Sequence, residues 1–234
     1  MIVTIMQPAY LPWLGFFDRV AASDLFIVLD HVRMDRSTKT QFANRNKVRT
    51  RTGWCWLTVP VPAHGDLLLD RLPISPSPRW QAKHMATLEQ CYGKSAHFGV
   101  HREFFRELLT SPVELLAEPV NRSTAYLLKA LAIETPVIFS SSLKERGTKS
   151  GLVLNLCREV RADAYISGPF GREYLDRATF EEAGIDVVFH DYAHPEYPQA
   201  YPGFEPYMSV VDLLFNHGLD SLDILASGRR LNSV

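Results

Sequence analysis

Gln7, Asp30, His190 and His194 each stand where an apolar, strand-like run gives way to polar residues. An amide, a carboxylate and two imidazoles at strand ends can hydrogen-bond a substrate and move a proton. In open α/β sheets, ligands sit beyond the carboxyl ends of the strands, so Gln7 and Asp30 occupy positions where chemistry is expected. Asp30-His31 is either a solvent-facing turn or a carboxylate that acts as a base, bonds a hydroxyl or holds a cation. Gln7 either satisfies a turn or offers a donor and an acceptor to a ligand, with Tyr10 and Trp13 giving flat faces to a sugar or heterocycle.

His190 and His194 are four apart, a spacing that places two metal ligands on one face only in a helix. Pro195 restricts His194 to extended backbone, which disfavours a helical zinc site and leaves either histidine as a general base. Tyr197 and Gln199 continue the polar aromatic segment as further substrate contacts. Cys55, Cys91 and Cys157 have no C-x-x-C spacing, so they supply neither a disulfide framework nor a zinc cluster, and no metal is expected.

Anion binding has two candidate segments. Arg45, Lys47, Arg49 and Arg51 alternate along a strand and share one side, with Lys39 and Asn44 nearby, as a phosphate or carboxylate cradle or as a solvated charged face. Ser141, Lys149 and Ser150 frame a strand, a glycine-containing loop and a helix start, where N–H groups favour anions. Ser142 stands where a P-loop needs glycine, so the Walker pattern fails. Ser167 and Tyr174 flank a third strand-to-helix turn and become ligand contacts if that turn lies beside Gln7.

The elements that must position these groups alternate. Strands are expected at 2–6, 25–29, 136–139, 164–166 and 185–189, with helices between them, which predicts an α/β fold with a mostly parallel central sheet. A hairpin turning at Thr52-Gly53 joins 45–51 to 54–61. Helices are expected at 79–92, 101–110, 112–118 and 121–132, the last two separated by Pro119, then at 149–160, 174–183, 208–216 and 221–226. The segment 228–234 is expected to fray. One domain spans 1–234, its α/β core from about 1–75 and 135–234, with the hairpin and a helical lobe at about 78–133 inserted.

With 22% charged and 46% hydrophobic residues the chain matches a folded soluble protein. A net charge of −1 provides no global field for nucleic acid. No apolar run approaches the roughly 20 residues that span a bilayer. The cysteine usage and the absence of a leader-like start place the chain in the cytoplasm as an expectation.

Gln7-Pro8, Tyr10-Leu11-Pro12-Trp13, Gly15-Phe16-Phe17, Ser23-Asp24, Asp30, Asn44-Arg45-Asn46 and Trp56-Leu57-Thr58-Val59-Pro60 together closely resemble the WbqC-like family. Agreement continues through Cys91-Tyr92-Gly93-Lys94-Ser95, Gly147-Thr148-Lys149-Ser150, Tyr165-Ile166-Ser167-Gly168-Pro169, His194-Pro195, Tyr197 and Gln199. The chain departs from the pattern at 36–42, where Phe42 stands for the expected aromatic. The resemblance implies a bacterial biosynthetic enzyme of O-antigen, other surface glycans or small natural products. The preferred inference is acyl or aminoacyl transfer to an amine, such as an amino sugar, from a phosphopantetheine thioester on an acyl or peptidyl carrier protein. A nucleotidyl-transfer or ligase-type enzyme and a non-catalytic module that binds a glycan or carrier protein are the alternatives.

Overall fold

The computed structural model describes residues 1–34, 42–63, 67–77 and 79–233. The fold is α/β, built on a six-stranded sheet with a separate two-stranded hairpin. Apolar runs that lack alternation form the central strands, because a parallel strand is buried on both faces. Strand β1 (Ile2–Met6) buries Val3, Thr4 and Ile5 and pairs in parallel with β2 (Leu25–Val28). The one polar residue among these, Thr4, is satisfied by donating to the Ile166 carbonyl at 3.0 Å.

The remaining parallel strands are β5 (Val137–Phe139), β6 (Ala164–Ser167) and β7 (Asp186–His190). Space is filled in the order β5-β2-β1-β6-β7. The chain winds outward through β2 and β5, then returns to the other side of β1. The winding therefore reverses between β1 and β6, and a crevice opens at such a reversal. Helices α1 (Leu14–Ala21), α5 (Lys149–Glu159), α6 (Gly171–Tyr174) and α7 (Arg177–Glu182) lie along the crossovers. Val3, Ile5 and Ile27 pack with Leu152, Leu156 and Phe180 in one core, while Phe26 and Val28 join Phe16 and Phe17 in another.

The tail does not fray. Strand β8 (Leu231–Ser233) pairs antiparallel with β7, with His190 opposite Leu231. Covering the free edge of β7 satisfies backbone groups that local sequence cannot show to be available.

Between β2 and β5 the described residues form the hairpin, a 3₁₀ turn at Leu69–Arg71 and three α-helices. Strands β3 (Arg45–Thr50) and β4 (Gly53–Thr58) turn at Arg51-Thr52, with Gly53 at φ 139°. Helices α2 (Trp80–Tyr92), α3 (Phe98–Leu108) and α4 (Ala117–Ala130) follow. The helix expected at 112–118 does not form as a separate element: 112–115 are not helical, with Ile74 N–H donating to the Glu114 carbonyl and Leu116 N–H to that of Leu72, while 117 and 118 open α4. Pro119 lies inside the first turn of α4, where a missing N–H removes no helical bond. Helices α8 (Val210–His217) and α9 (Ser221–Ser227) close the chain against α1 and α3. None of the described helices is long and apolar enough to cross a membrane.

Candidate active site

A crevice of about 730 Å³ opens beyond the carboxyl ends of β1, β6 and β7, and Gln7, Trp13, Lys47, Ser167, Tyr174 and His190 all line it. Backbone contacts bring its walls together. Tyr10 N–H donates to the Phe42 carbonyl, Ser209 N–H to that of Lys47, and Val210 N–H to that of Pro12. The first loop, the hairpin and the segment before α8 thus close around the sheet edge.

His190 is the chemical centre of this wall. Its Nε2 lies 2.7 Å from Asp18 Oδ2, both side chains being buried. Nε2 thus faces the carboxylate, and Nδ1 has no hydrogen-bond partner among the described residues. Arg229 donates to the other Asp18 oxygen from Nη2 at 2.9 Å, so the buried carboxylate is compensated twice. Tyr192 stacks on the imidazole at 5.5 Å, and Trp13 meets Tyr192 edge-on at 5.5 Å. The indole folds back over Gly15, where a Cβ would stand 2.4 Å from the ring, so any larger residue displaces it.

Lys47 lies over the rings of Trp54 and Tyr207 at 5.0 and 5.9 Å. Desolvation pulls its ammonium pKa down, with Glu205 opposing. Tyr207 holds a left-handed backbone at φ 60°, a conformation that costs a non-glycine residue about 1–2 kcal/mol and here sets its half-exposed ring at the rim. Across the crevice, the Arg19 guanidinium lies against Gly168, and burial lowers its pKa.

The other expected site residues lie elsewhere. Asp30 Oδ1 accepts from Ser140 Oγ at 2.9 Å and Ser141 N–H at 2.8 Å, and Oδ2 from Ser141 Oγ at 2.7 Å. Both oxygens are used to pin the turn after β5, and His31 Nδ1 contacts the same Ser140 hydroxyl at 2.6 Å. Lys149 is exposed at φ 49°, and Ser150 Oγ accepts from Asp176 N–H. Tyr10 is buried with its hydroxyl 3.0 Å from His84 Nδ1.

Along the hairpin, Asn44 donates to the Val59 carbonyl and Arg45 lies over Trp56 at 4.4 Å. Arg49, on the same side, is drawn into bonds with the carbonyls of Thr50, Gly53 and Pro202, and Arg51 lies at a separate cavity. The four cations therefore do not form one cradle, because three have different neighbours and one lies in the turn. Tyr197 and Gln199 both donate to Asp212 Oδ2, and Tyr92 donates to Oδ1, a buried knot that joins α2, α8 and the segment between them. His194 directs Nδ1 to the Pro195 carbonyl and sits one layer behind Tyr207, with ring centroids 5.4 Å apart. Lys39 lies outside the described residues.

Asp18, Arg19, Tyr192 and Arg229 were not legible as site residues. One signal existed for Asp18. Leu14, Phe17, Asp18 and Ala21 share a helix face, and a carboxylate in an apolar stripe needs a buried partner. Among the described residues no group of histidines, cysteines and carboxylates has the arrangement of a metal site.

No solved structure matches this chain. The chain is 35% identical over 231 residues to the uncharacterized protein Rv1507c of Mycobacterium tuberculosis (strain ATCC 25618 / H37Rv), covering 95% of this chain and 96% of that protein. The family model described as "WbqC-like protein family" matches residues 7–224. With that match taking in four of the six sheet strands and most of the crevice lining, the chain belongs to the WbqC-like protein family.

Proposed function

We propose that this protein is a group-transfer enzyme of a pathway that makes a surface glycan or a small natural product. It moves an acyl or aminoacyl group from a thioester donor to an amine. The observation that carries the reading is the Asp18–His190 pair at the sheet's crevice, an imidazole with one nitrogen bonded to a buried carboxylate and the other without a hydrogen-bond partner among the described residues.

In this reading the amine nitrogen attacks the thioester carbonyl while His190 Nδ1 takes its proton. The tetrahedral adduct collapses, the C–S bond breaks, and the departing thiolate receives the proton from His190. General base catalysis of this kind contributes about 10²–10⁴ in rate. Gln7 and Ser167 supply hydrogen bonds to the acceptor, and Trp13, Tyr192 and Tyr207 cover its apolar face. A phosphopantetheine arm on a carrier protein is the donor proposed.

The strand order favours a second reading, a nucleotide-dependent enzyme, since this order carries dinucleotide sites elsewhere. The loop after β1 opposes it. Pro8 and Pro12 remove two N–H donors, and the Trp13 ring covers Gly15 at the start of α1, where phosphate would sit.

The test is mass spectrometry of amine acceptors incubated with the purified protein and acyl or aminoacyl pantetheine and carrier-protein thioesters. The expected result is an acceptor mass increased by the acyl group with wild type and not with His190→Gln. Unchanged acceptors in every combination, with folded protein, would remove the transfer reading.

A further inference from the structure

Arg19 is the group in the crevice that the proton-transfer chemistry leaves unused. Its guanidinium offers five N–H donors, yet Nε is sealed from solvent with no partner among the described residues. Asp18, the carboxylate that acts on it electrostatically, has its oxygens committed to His190 and Arg229. A part-buried cation whose attracting carboxylate already bonds two other groups keeps its N–H groups to offer an anion from outside.

The surroundings are built for that charge. A Cβ at position 168 would stand 2.9 Å from Arg19 Nη2 and 3.0 Å from Nη1, so Gly168 leaves the space the guanidinium fills. The phenols of Tyr165 and Tyr174 border it, and Tyr174 and Lys47 line the same crevice. Backbone N–H groups, the usual anion seat at this point of such a sheet, are reduced by Pro8 and Pro12 and covered by Trp13. Positive charge at this crevice is thus carried by a side chain of α1 rather than by the loop backbone.

We propose that Arg19 is the receptor for an oxyanion, a carboxylate or a phosphate, on the molecule that enters the crevice. The planar fork of the guanidinium matches either group through paired N–H···O bonds. This deepens the transfer reading, on which it rests only for the identity of the molecule that carries the anion.

The experiment is thermal unfolding at matched ionic strength, with chloride as the reference anion. One arm uses acetate and N-acetylglycine, the other inorganic phosphate and a hexose 1-phosphate. Wild type is expected to be stabilised in at least one arm, and the responding arm names the source of the oxyanion. Arg19→Gln should melt higher than wild type in chloride and bind the responding anion at least tenfold more weakly. Gly168→Ala, which keeps the charge and shifts the guanidinium, should also weaken the response and serves if Arg19→Gln does not fold. His190→Gln should retain it. An equal response in wild type and both crevice variants, or none in wild type in either arm, overturns the proposal. Failed transfer with the Arg19-dependent response intact would instead remove the transfer reading and keep this site.

Discussion

Two carboxylates stand at the carboxyl edge of the sheet, and their surroundings differ in one respect. Asp30, after β2, is enclosed, with both oxygens taken by the hydroxyls and N–H of Ser140 and Ser141. Asp18, in α1, is equally buried, but its histidine lines a crevice with one nitrogen unpartnered among the described residues. A satisfied buried network rigidifies a fold, whereas one with an open position holds a reactive group in place. Position beyond a strand thus selects neither; the number of partners left unfilled does. Asp212, satisfied by Tyr92, Tyr197 and Gln199, belongs with Asp30.

The strongest way to break this comparison is to exchange the two sites' expected defects. His190→Gln should lower transfer turnover by about 10²–10⁴ with the fold retained, measured by acceptor mass and circular dichroism. If turnover survives, the open network is as structural as the closed one. Asp18→Asn attacks the same site through stability. It removes the charge opposite buried His190 and part-exposed Arg229, and stranding those donors costs about 1–3 kcal/mol, read by urea unfolding.

A buried histidine without a carboxylate gives a third case. His84 faces the Tyr10 hydroxyl, and burial pushes its pKa down to about 4, with the Thr58 backbone opposing. In the unfolded chain a histidine titrates near 6.5. Between those values the unfolded chain holds the extra proton, so stability rises with pH across the window. This contribution is complete above about pH 6.5 and is lost as pH falls toward 4, about 3 kcal/mol in all. Urea unfolding of wild type and His84→Gln from pH 7 to 4 should show a steeper slope in wild type, since desolvated His31, His101 and His194 contribute in both.

Asp30→Ala should then destabilise by about 1–3 kcal/mol, the cost of stranding the Ser141 N–H and two hydroxyls, while turnover per folded molecule stays within about threefold. A turnover loss matching that of His190→Gln would place chemistry at the closed site and invert the comparison. The smallest effect is expected from Lys47→Gln, a several-fold rise in KM with kcat nearly unchanged, since a rim ammonium contributes at most about 1 kcal/mol.

The amino-acid sequence by itself determined the local pieces. Apolar runs without alternation marked β1, β2, β5, β6 and β7, the hairpin was placed to within a residue of its turn, and Gln7, Trp13, Ser167, Tyr174 and His190, read at element ends, meet Lys47 of the hairpin strand in one crevice. Those signals are short-range, set by burial periodicity and by where proline and glycine stop an element. Tertiary structure alone decided which strand lies beside which, and so set β6 against β1 at the reversal of winding. It also brought Asp18 to His190 across 172 positions and Arg229 to Asp18 across 211. Whether a polar side chain is satisfied depends on neighbours that the chain supplies from anywhere along its length. For that reason Asp30, placed where a catalytic carboxylate is expected, is closed by the turn after β5, while Asp18 and Arg19 carried no local mark beyond charge on an apolar helix.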